Sequence, residues 1–211
     1  RPKDSHDILG VFRLASTSPY RSSVPPPGSE FIAGIQDWHA EMLKNRPEAN
    51  PGEIKTDVNY AGTTKFVEPG FIRGTMAEAS SLALSVPEGL ARSVYYAFLV
   101  SEVHPFEDGN GRLSRLLLNA ELSRLGRCRV IIPTLFHPQY IDCARQLTRQ
   151  NDPTGFVSAI ARMARWCAQF SYSDLDNLIE ALRACNAFEE SPAEYKLLDY
   201  DAVDKERRPF R

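Results

Sequence analysis

Residues 104–115 read His104-Pro105-Phe106-Glu107-Asp108-Gly109-Asn110-Gly111-Arg112-Leu113-Ser114-Arg115, and the rest of the chain is arranged around them. A proline directly after His104 biases that residue away from the right-handed helical region, so a helix arriving from the N-terminal side should stop there. The acidic pair Glu107-Asp108 leads into Gly109-Asn110-Gly111, a turn whose glycines reach positive φ and let a ligand approach the backbone closely. From Arg112 to Leu125 the pattern is helical. Leu113, Leu116, Leu117, Ala120 and Leu125 share one apolar face, and Gly126 suits the position just past the end. A glycine-rich turn that opens a helix is an anion site, because unpaired N–H groups and the positive end of the dipole point the same way. Arg112 and Arg115, one turn apart, add planar guanidinium forks suited to phosphate oxygens.

A diphosphate needs a divalent cation, and Asp108 is a hard oxygen ligand beside the turn. His104, four residues earlier, is placed to act as general base on an incoming hydroxyl. Taken singly, a histidine is more often structural, Gly-Asn-Gly more often a plain turn, and Arg-x-x-Arg more often a solvated helix face. In this order and within one short stretch, they fit phosphoryl or nucleotidyl transfer.

The stretch resembles the signature of Fic-domain proteins, His-Pro-Phe-x-Asp/Glu-Gly-Asn-Gly-Arg-x-x-Arg, and matches it at every specified position. The resemblance spans roughly residues 30–170, with its specific part confined to 104–115. It implies an all-α fold, a bundle of about six to eight helices with one β-hairpin flap over the active site. It also implies transfer of AMP from ATP to a Ser, Thr or Tyr hydroxyl of a target protein. In that reading His104 is the base, Phe106 is the buried anchor of the loop and Asp108 holds Mg²⁺. Gly109, Asn110 and Gly111 form the anion hole, Arg112 binds phosphate, and Arg115 supports it.

Composition narrows the class. With 211 residues the chain has length for one domain with a real core. A formal charge of −2 gives no general basic field, so no nucleic-acid partner is expected. Hydrophobic content of 43% and charged content of 25% are those of a soluble globule. No apolar run approaches the ~18 residues of a membrane span, so no membrane partner is expected. The N-terminus has no signal-peptide core and no initiator methionine, which reads as a fragment or a processed chain. Cys128, Cys143, Cys167 and Cys185 form no C-x-x-C pair, which favours free thiols in a reducing, cytoplasmic setting over a metal site. Secretion into a host cell as an effector stays open.

Along the chain, residues 1–28 read as an extension: Ile8–Leu14 as a short strand or docking segment, then Pro/Ser-rich linker chemistry. The domain proper is expected over 29–190, with 191–211 a charged, frayed tail. Ser29 is the expected N-cap of a helix to about Asn45, with Phe31, Ile32, Ile35, Trp38, His39, Met42 and Leu43 as its apolar stripe; His39 is expected to pack in the core, with touching the site as the lesser alternative. Residues 53–60 and 63–67 flank Ala61-Gly62 as the two arms of a hairpin. The resemblance makes this hairpin, about 53–69, the flap. Thr56, Asp57, Val58, Asn59 and Tyr60 are then the edge on which a target segment docks as an added strand. Lys55 stands where many family members have arginine, keeping the charge without the fork. Further helices are expected at 76–85, from Pro87-Glu88 to Val103, at 138–150, 156–170 and 173–188.

Rival readings follow from the same residues. The P-loop pattern is absent, which argues against a Walker-type kinase. An intact Gly109-Asn110-Gly111-Arg112 favours nucleotidyl transfer but does not choose ATP over UTP or GTP. The family's reverse reaction, removal of AMP, uses a glutamate in Ser/Thr-x-x-x-Glu-Gly/Asn, which also inhibits transfer. Here Glu88 precedes Gly89, but Leu84 holds the Ser/Thr position, so the pattern is missing. An inhibitory element would then be a missing segment or an antitoxin-like partner, or there is none. The remaining alternative is a non-catalytic module that captures a partner on its hairpin.

Overall fold

A computed structural model of the chain describes residues 2–207; the last residues of the expected tail, 208–211, lie outside that range. It separates into two compact units, residues 1–127 and 128–211. In the first unit the helices are α1 (Pro2–Ser16), α2 (Ser29–Leu43), α3 (Pro69–Leu82), α4 (Leu90–Val103) and α5 (Asn110–Arg124). Between α2 and α3 lies a two-stranded antiparallel hairpin, β1 (Tyr60–Ala61) and β2 (Thr64–Lys65), in register Tyr60↔Lys65 and Ala61↔Thr64. The second unit holds α6 (His137–Gln150), α7 (Thr154–Cys167), α8 (Leu175–Ala184) and α9 (Tyr200–Arg207). The class is all-α with one hairpin, as expected. Its nine α-helices among the described residues exceed the expected six to eight.

The extra helices lie where linker and tail were expected. Residues 2–16 are helical, not a strand or a loose extension. Leu14 seats in the core beside Val11 and Ala15, and this packing outweighs the weak local pattern. The hairpin is shorter than its composition suggests. Residues 53–59 run irregularly against the 104–110 loop, and only two residues per strand pair. The helix after the hairpin starts at Pro69, seven residues before the expected Met76, because Pro69 suits a first turn whose N–H would be unsatisfied anyway. Gly28 at φ 82, and not Ser29, caps α2.

The stripe of α2 came through unchanged: all seven expected residues, His39 among them, are buried. Each large apolar side chain taken out of water there contributes about 1.5–3 kcal/mol. Phe31, Ile35, Ile72, Met76, Leu113 and Leu117 meet in one core. α4 and α5 run back along each other. Ser114 Oγ donates to the Ala97 carbonyl and accepts from Ser101 Oγ, and Arg124 pairs with Glu88 at the far end. The turn joining them is the 104–110 loop, so this helix pair fixes both ends of the signature stretch. α5 ends as its sequence predicts, with Gly126 at φ 64 and its N–H bonded to the Ser123 carbonyl.

In the second unit α7 buries Phe156, Ile160, Met163 and Cys167, whereas α6 buries only Tyr140. All four cysteines are free thiols; Cys167 and Cys185 are buried and Cys128 is exposed. No helix among the described residues is long and apolar enough to cross a membrane.

Candidate active site

α4 stops at His104, which caps it in the left-handed conformation, φ 52 and ψ 60. The following proline disfavours continuation, and the His104 N–H still bonds to the Val100 carbonyl. Its ring lies flat on Phe66, just past β2, with centroids 3.9 Å apart. Nδ1 is 3.2 Å from the Ser101 carbonyl oxygen. A carbonyl only accepts, so Nδ1 carries the proton and Nε2 keeps a lone pair. Burial pushes the imidazole below its ordinary value, and the nearby Lys55 ammonium acts in the same direction. A neutral imidazole with one nitrogen anchored and the other basic is what general-base chemistry at neutral pH requires.

The loop is closed from inside. Phe106 is fully buried. Its N–H donates to Asn110 Oδ1 at 3.0 Å, and Asn110 Nδ2 returns to the Phe106 carbonyl at 2.7 Å. The Asn110 side chain therefore points inward, 1% exposed. What residue 110 offers an anion is its backbone N–H, which with that of Gly111 opens the first turn of α5. Gly109 sits at φ 86, where a Cβ would lie 3.0 Å from Met42 Cε and 3.2 Å from His39 Nε2. Only glycine fits there without strain.

Asp108 stands beside this turn. One oxygen accepts from the Gly109 N–H at 2.6 Å and from Arg112 Nη2 at 2.9 Å; the other accepts from Arg46 Nη1 at 2.9 Å. Partial burial would raise its carboxyl, but the bonds and charges of Arg46 and Arg112 outweigh it and hold the group below the usual carboxylate range. Arg46 itself is 4% exposed and also bonds to Glu48 and to both oxygens of Asp7. Arg112 pairs with Asp7 too. Asp7 and Asp108 thus alternate with Arg46 and Arg112 in a closed ring of charges drawn from α1, the segment after α2, and the signature stretch. Among the described residues no group of three or more His, Cys, Asp or Glu side chains is placed to hold a metal ion.

The segment leading into the hairpin is tied to the loop at several points. The Lys55 N–H donates to the Pro105 carbonyl, and Asn59 Nδ2 donates to the Phe106 carbonyl. Lys55 is 3% exposed, bonds through Nζ to Asn59 Oδ1 at 2.6 Å, and lies over the Phe66 ring at 5.8 Å. Burial lowers its ammonium pKa. Of the expected docking residues, Thr56 bonds to Asp57, Asn59 turns inward as a clasp, and Tyr60 is exposed.

Residues 32–122 match the family model described as the Fic/DOC family. This part of the chain belongs to that family. Protein adenylyltransferase fic-1 of Caenorhabditis briggsae is 31% identical to it over 138 residues, which cover 62% of this chain and 26% of the relative. Protein adenylyltransferase Fic of Aedes aegypti is 32% identical over 165 residues, covering 75% and 32%. The chain therefore spans between a quarter and a third of the length of these curated relatives. Among solved structures, Fic-1 of C. elegans superposes with a TM-score of 0.65 at 22% identity, over 87% of this chain and 53% of that one. A Fic-domain-containing signaling protein of Bacteroides thetaiotaomicron gives a TM-score of 0.57 at 19% identity, over 94% and 76%. At such identities the likeness speaks for the fold.

Asp108, Gly109 and Arg112 lie at the α5 N-terminus, and His104 is near enough to feel the Asp108 charge. Two residues around them were missed. Asp7 lay in a segment read as linker, and Arg46 in a Pro/Gly-rich loop without periodicity. The polar partners of His39 were missed: it was expected to pack, with touching the site as the lesser alternative, and its place one turn from Met42 and Leu43 on a buried stripe named no partner.

Proposed function

We propose that this chain is a protein adenylyltransferase, transferring AMP from ATP to a hydroxyl side chain of a protein, with the Fic domain extending over 29–190. The observation that carries this reading is the 3.2 Å approach of His104 Nδ1 to the Ser101 carbonyl oxygen, which assigns the proton to Nδ1 and leaves the Nε2 lone pair for a base. The names of the relatives support adenylyl transfer over transfer of UMP or GMP.

In this reading ATP phosphates sit on the first-turn N–H groups of Asn110 and Gly111, with Arg112 as the fixed cation and Arg115 behind it. His104 Nε2 takes the proton of the target hydroxyl as its oxygen attacks the α-phosphorus; the bond to the β-phosphate bridging oxygen breaks and pyrophosphate leaves. Thr56–Tyr60 on the hairpin side present the target segment. Asp108 fits Mg²⁺: a hard carboxylate, 40% exposed at its side chain, beside the phosphate turn, where Mg²⁺ is commonly held by one carboxylate plus phosphate oxygens. When bound, Mg²⁺ would neutralise charge on the diphosphate. Its arrival requires Asp108 to exchange contacts with Arg46 and Arg112.

The test is incubation with α-labelled ATP and Mg²⁺, alone and with a cell lysate, wild type beside His104→Ala. Protein-bound label that disappears in the variant supports the reading. No label from ATP, with label from UTP or GTP, overturns the choice of nucleotide; no label from any of the three overturns transfer.

A further inference from the structure

His39 is a fully buried imidazole that the chemistry above does not use. Both of its nitrogens are nevertheless engaged. The Gly52 N–H, in the turn leading to the hairpin, donates to Nδ1 at 2.9 Å. Nε2 is 2.9 Å from the backbone carbonyl oxygen of Asp108. An N–H donor on one side and a carbonyl acceptor on the other admit one tautomer, unprotonated at Nδ1 and protonated at Nε2. The ring is stacked on Phe106, centroids 3.9 Å apart and planes within 3°. It also closes the space beneath Gly109.

We propose that His39 is a positioning residue of the active site, tying the segment that leads into the flap to the phosphate-binding turn through one imidazole. This rests on the adenylyl-transfer reading for what the two sides do. One side bears the turn on which phosphates land; the other leads to the edge on which a target segment lies. A ring with both nitrogens bonded and one face stacked has no freedom to adjust, so it sets the spacing between them. The turn's exposed surface is then fixed from behind, at Asp108–Gly109, by a group that touches no substrate. The charges facing the imidazole, Asp108 and Arg112, both belong to the same site. Protonation at Nδ1 would set two donors against each other at Gly52.

Two variants separate this role from packing. His39→Phe keeps an aromatic ring against Phe106 and removes both polar atoms. His39→Gln supplies one acceptor and one donor on a flexible stem. Two readouts do not depend on transfer: backbone amide exchange over 50–55 and 106–112, and the affinity for ATP with Mg²⁺. A third is the ATP dependence of self-labelling.

His39→Phe should speed exchange at Gly52 and across the 108–110 turn and weaken ATP binding roughly tenfold or more, the scale of losing a supporting hydrogen-bond partner. The ATP KM for self-labelling should rise more than kcat falls. His39→Gln should recover exchange and affinity to within about threefold. Wild-type exchange and affinity in His39→Phe would overturn the proposal, as would a glutamine variant as impaired as the phenylalanine one. Should His39→Phe fail to fold, His39→Gln decides alone, since loss of Gly52 protection or ATP affinity there overturns the proposal. If the wild-type protein transfers nothing, the adenylyl-transfer reading fails, and exchange and affinity still judge His39.

Discussion

Asp7, near the start of α1, is ion-paired with Arg112, in the first turn of α5. The same carboxylate takes two bonds from Arg46. An anion supplied by the chain thus occupies the fork that a nucleotide phosphate would use. Asp7→Asn keeps the shape and removes the charge. Its expected effect is tighter ATP binding, by up to about fivefold, the factor that corresponds to the ~1 kcal/mol of a partly solvated pair. Titration of ATP and Mg²⁺ into both proteins checks this. An unchanged or weakened affinity would make the pair a structural clasp.

His104 is held neutral by burial and carries its free lone pair on Nε2. A base with a lowered pKa stays competent to lower pH, so the acid limb of kcat/KM should lie below the ordinary imidazole value of 6.5. Transfer should fall as pH drops through that lowered value and stay flat above it. His104→Ala should lose ~10²–10⁴-fold in rate with little change in melting temperature. A pH-rate profile and thermal unfolding of the variant test both halves.

Gly109 and Gly111 differ in what a methyl would meet. At Gly109 the backbone is left-handed and three atoms lie within 3.2 Å of a Cβ; at Gly111 the nearest, Arg115 Nη1, is at 3.5 Å. Gly109→Ala should therefore cost about 1–3 kcal/mol of stability and disturb the turn. Gly111→Ala, in the first turn of α5, should be neutral or mildly stabilising while still reducing ATP affinity, because its methyl stands where phosphate approaches. Denaturant unfolding and ATP titration on both variants would show whether the two effects separate.

Asp108 has a folded pKa below its ordinary 3.8. A depressed carboxyl stabilises the fold above its unfolded value, and that contribution disappears as pH falls through the folded one. The melting temperature should therefore decline below about pH 4. Asp108→Asn, which has nothing to titrate, should flatten that part of the curve. The same variant should lose Mg²⁺-dependent ATP affinity. An identical acid profile in both proteins would show that other carboxylates dominate.

The parts of the fold that follow from local rules were legible in the sequence. The buried stripe of α2 obeys helical spacing, α5 ends at Gly126 through a left-handed glycine, and His104-Pro105 stops α4 by sterics. The hairpin's turn was legible too, but its length was not. Residues 53–59 have strand-like composition, yet the Lys55 N–H bonds to Pro105 and the Asn59 side chain to Phe106, and only the Asn59 carbonyl, accepting from the Phe66 N–H, extends the hairpin ladder. α1 was hidden because its outer face keeps Ile8, Leu9 and Phe12 exposed, which blurs the amphipathic pattern. The ring of Asp7, Arg46, Asp108 and Arg112 was illegible for a different reason: its members lie up to 105 positions apart in the chain, from 7 to 112. Sequence spacing carries no trace of a charge network assembled by tertiary packing.

The ring also sets how much of the chain can be trimmed away. The family match begins at residue 32, after α1. A protein cut there would retain Arg46 and Arg112 and lose Asp7, leaving Arg112 paired with Asp108 and Arg46 with Asp108 and Glu48. The surroundings of Arg112 would be more positive than in the intact chain, and the buried Arg46 would have lost two of its acceptor contacts. Kinetics measured on such a minimal domain would describe a different electrostatic object, even where the backbone of the twelve-residue signature were unchanged.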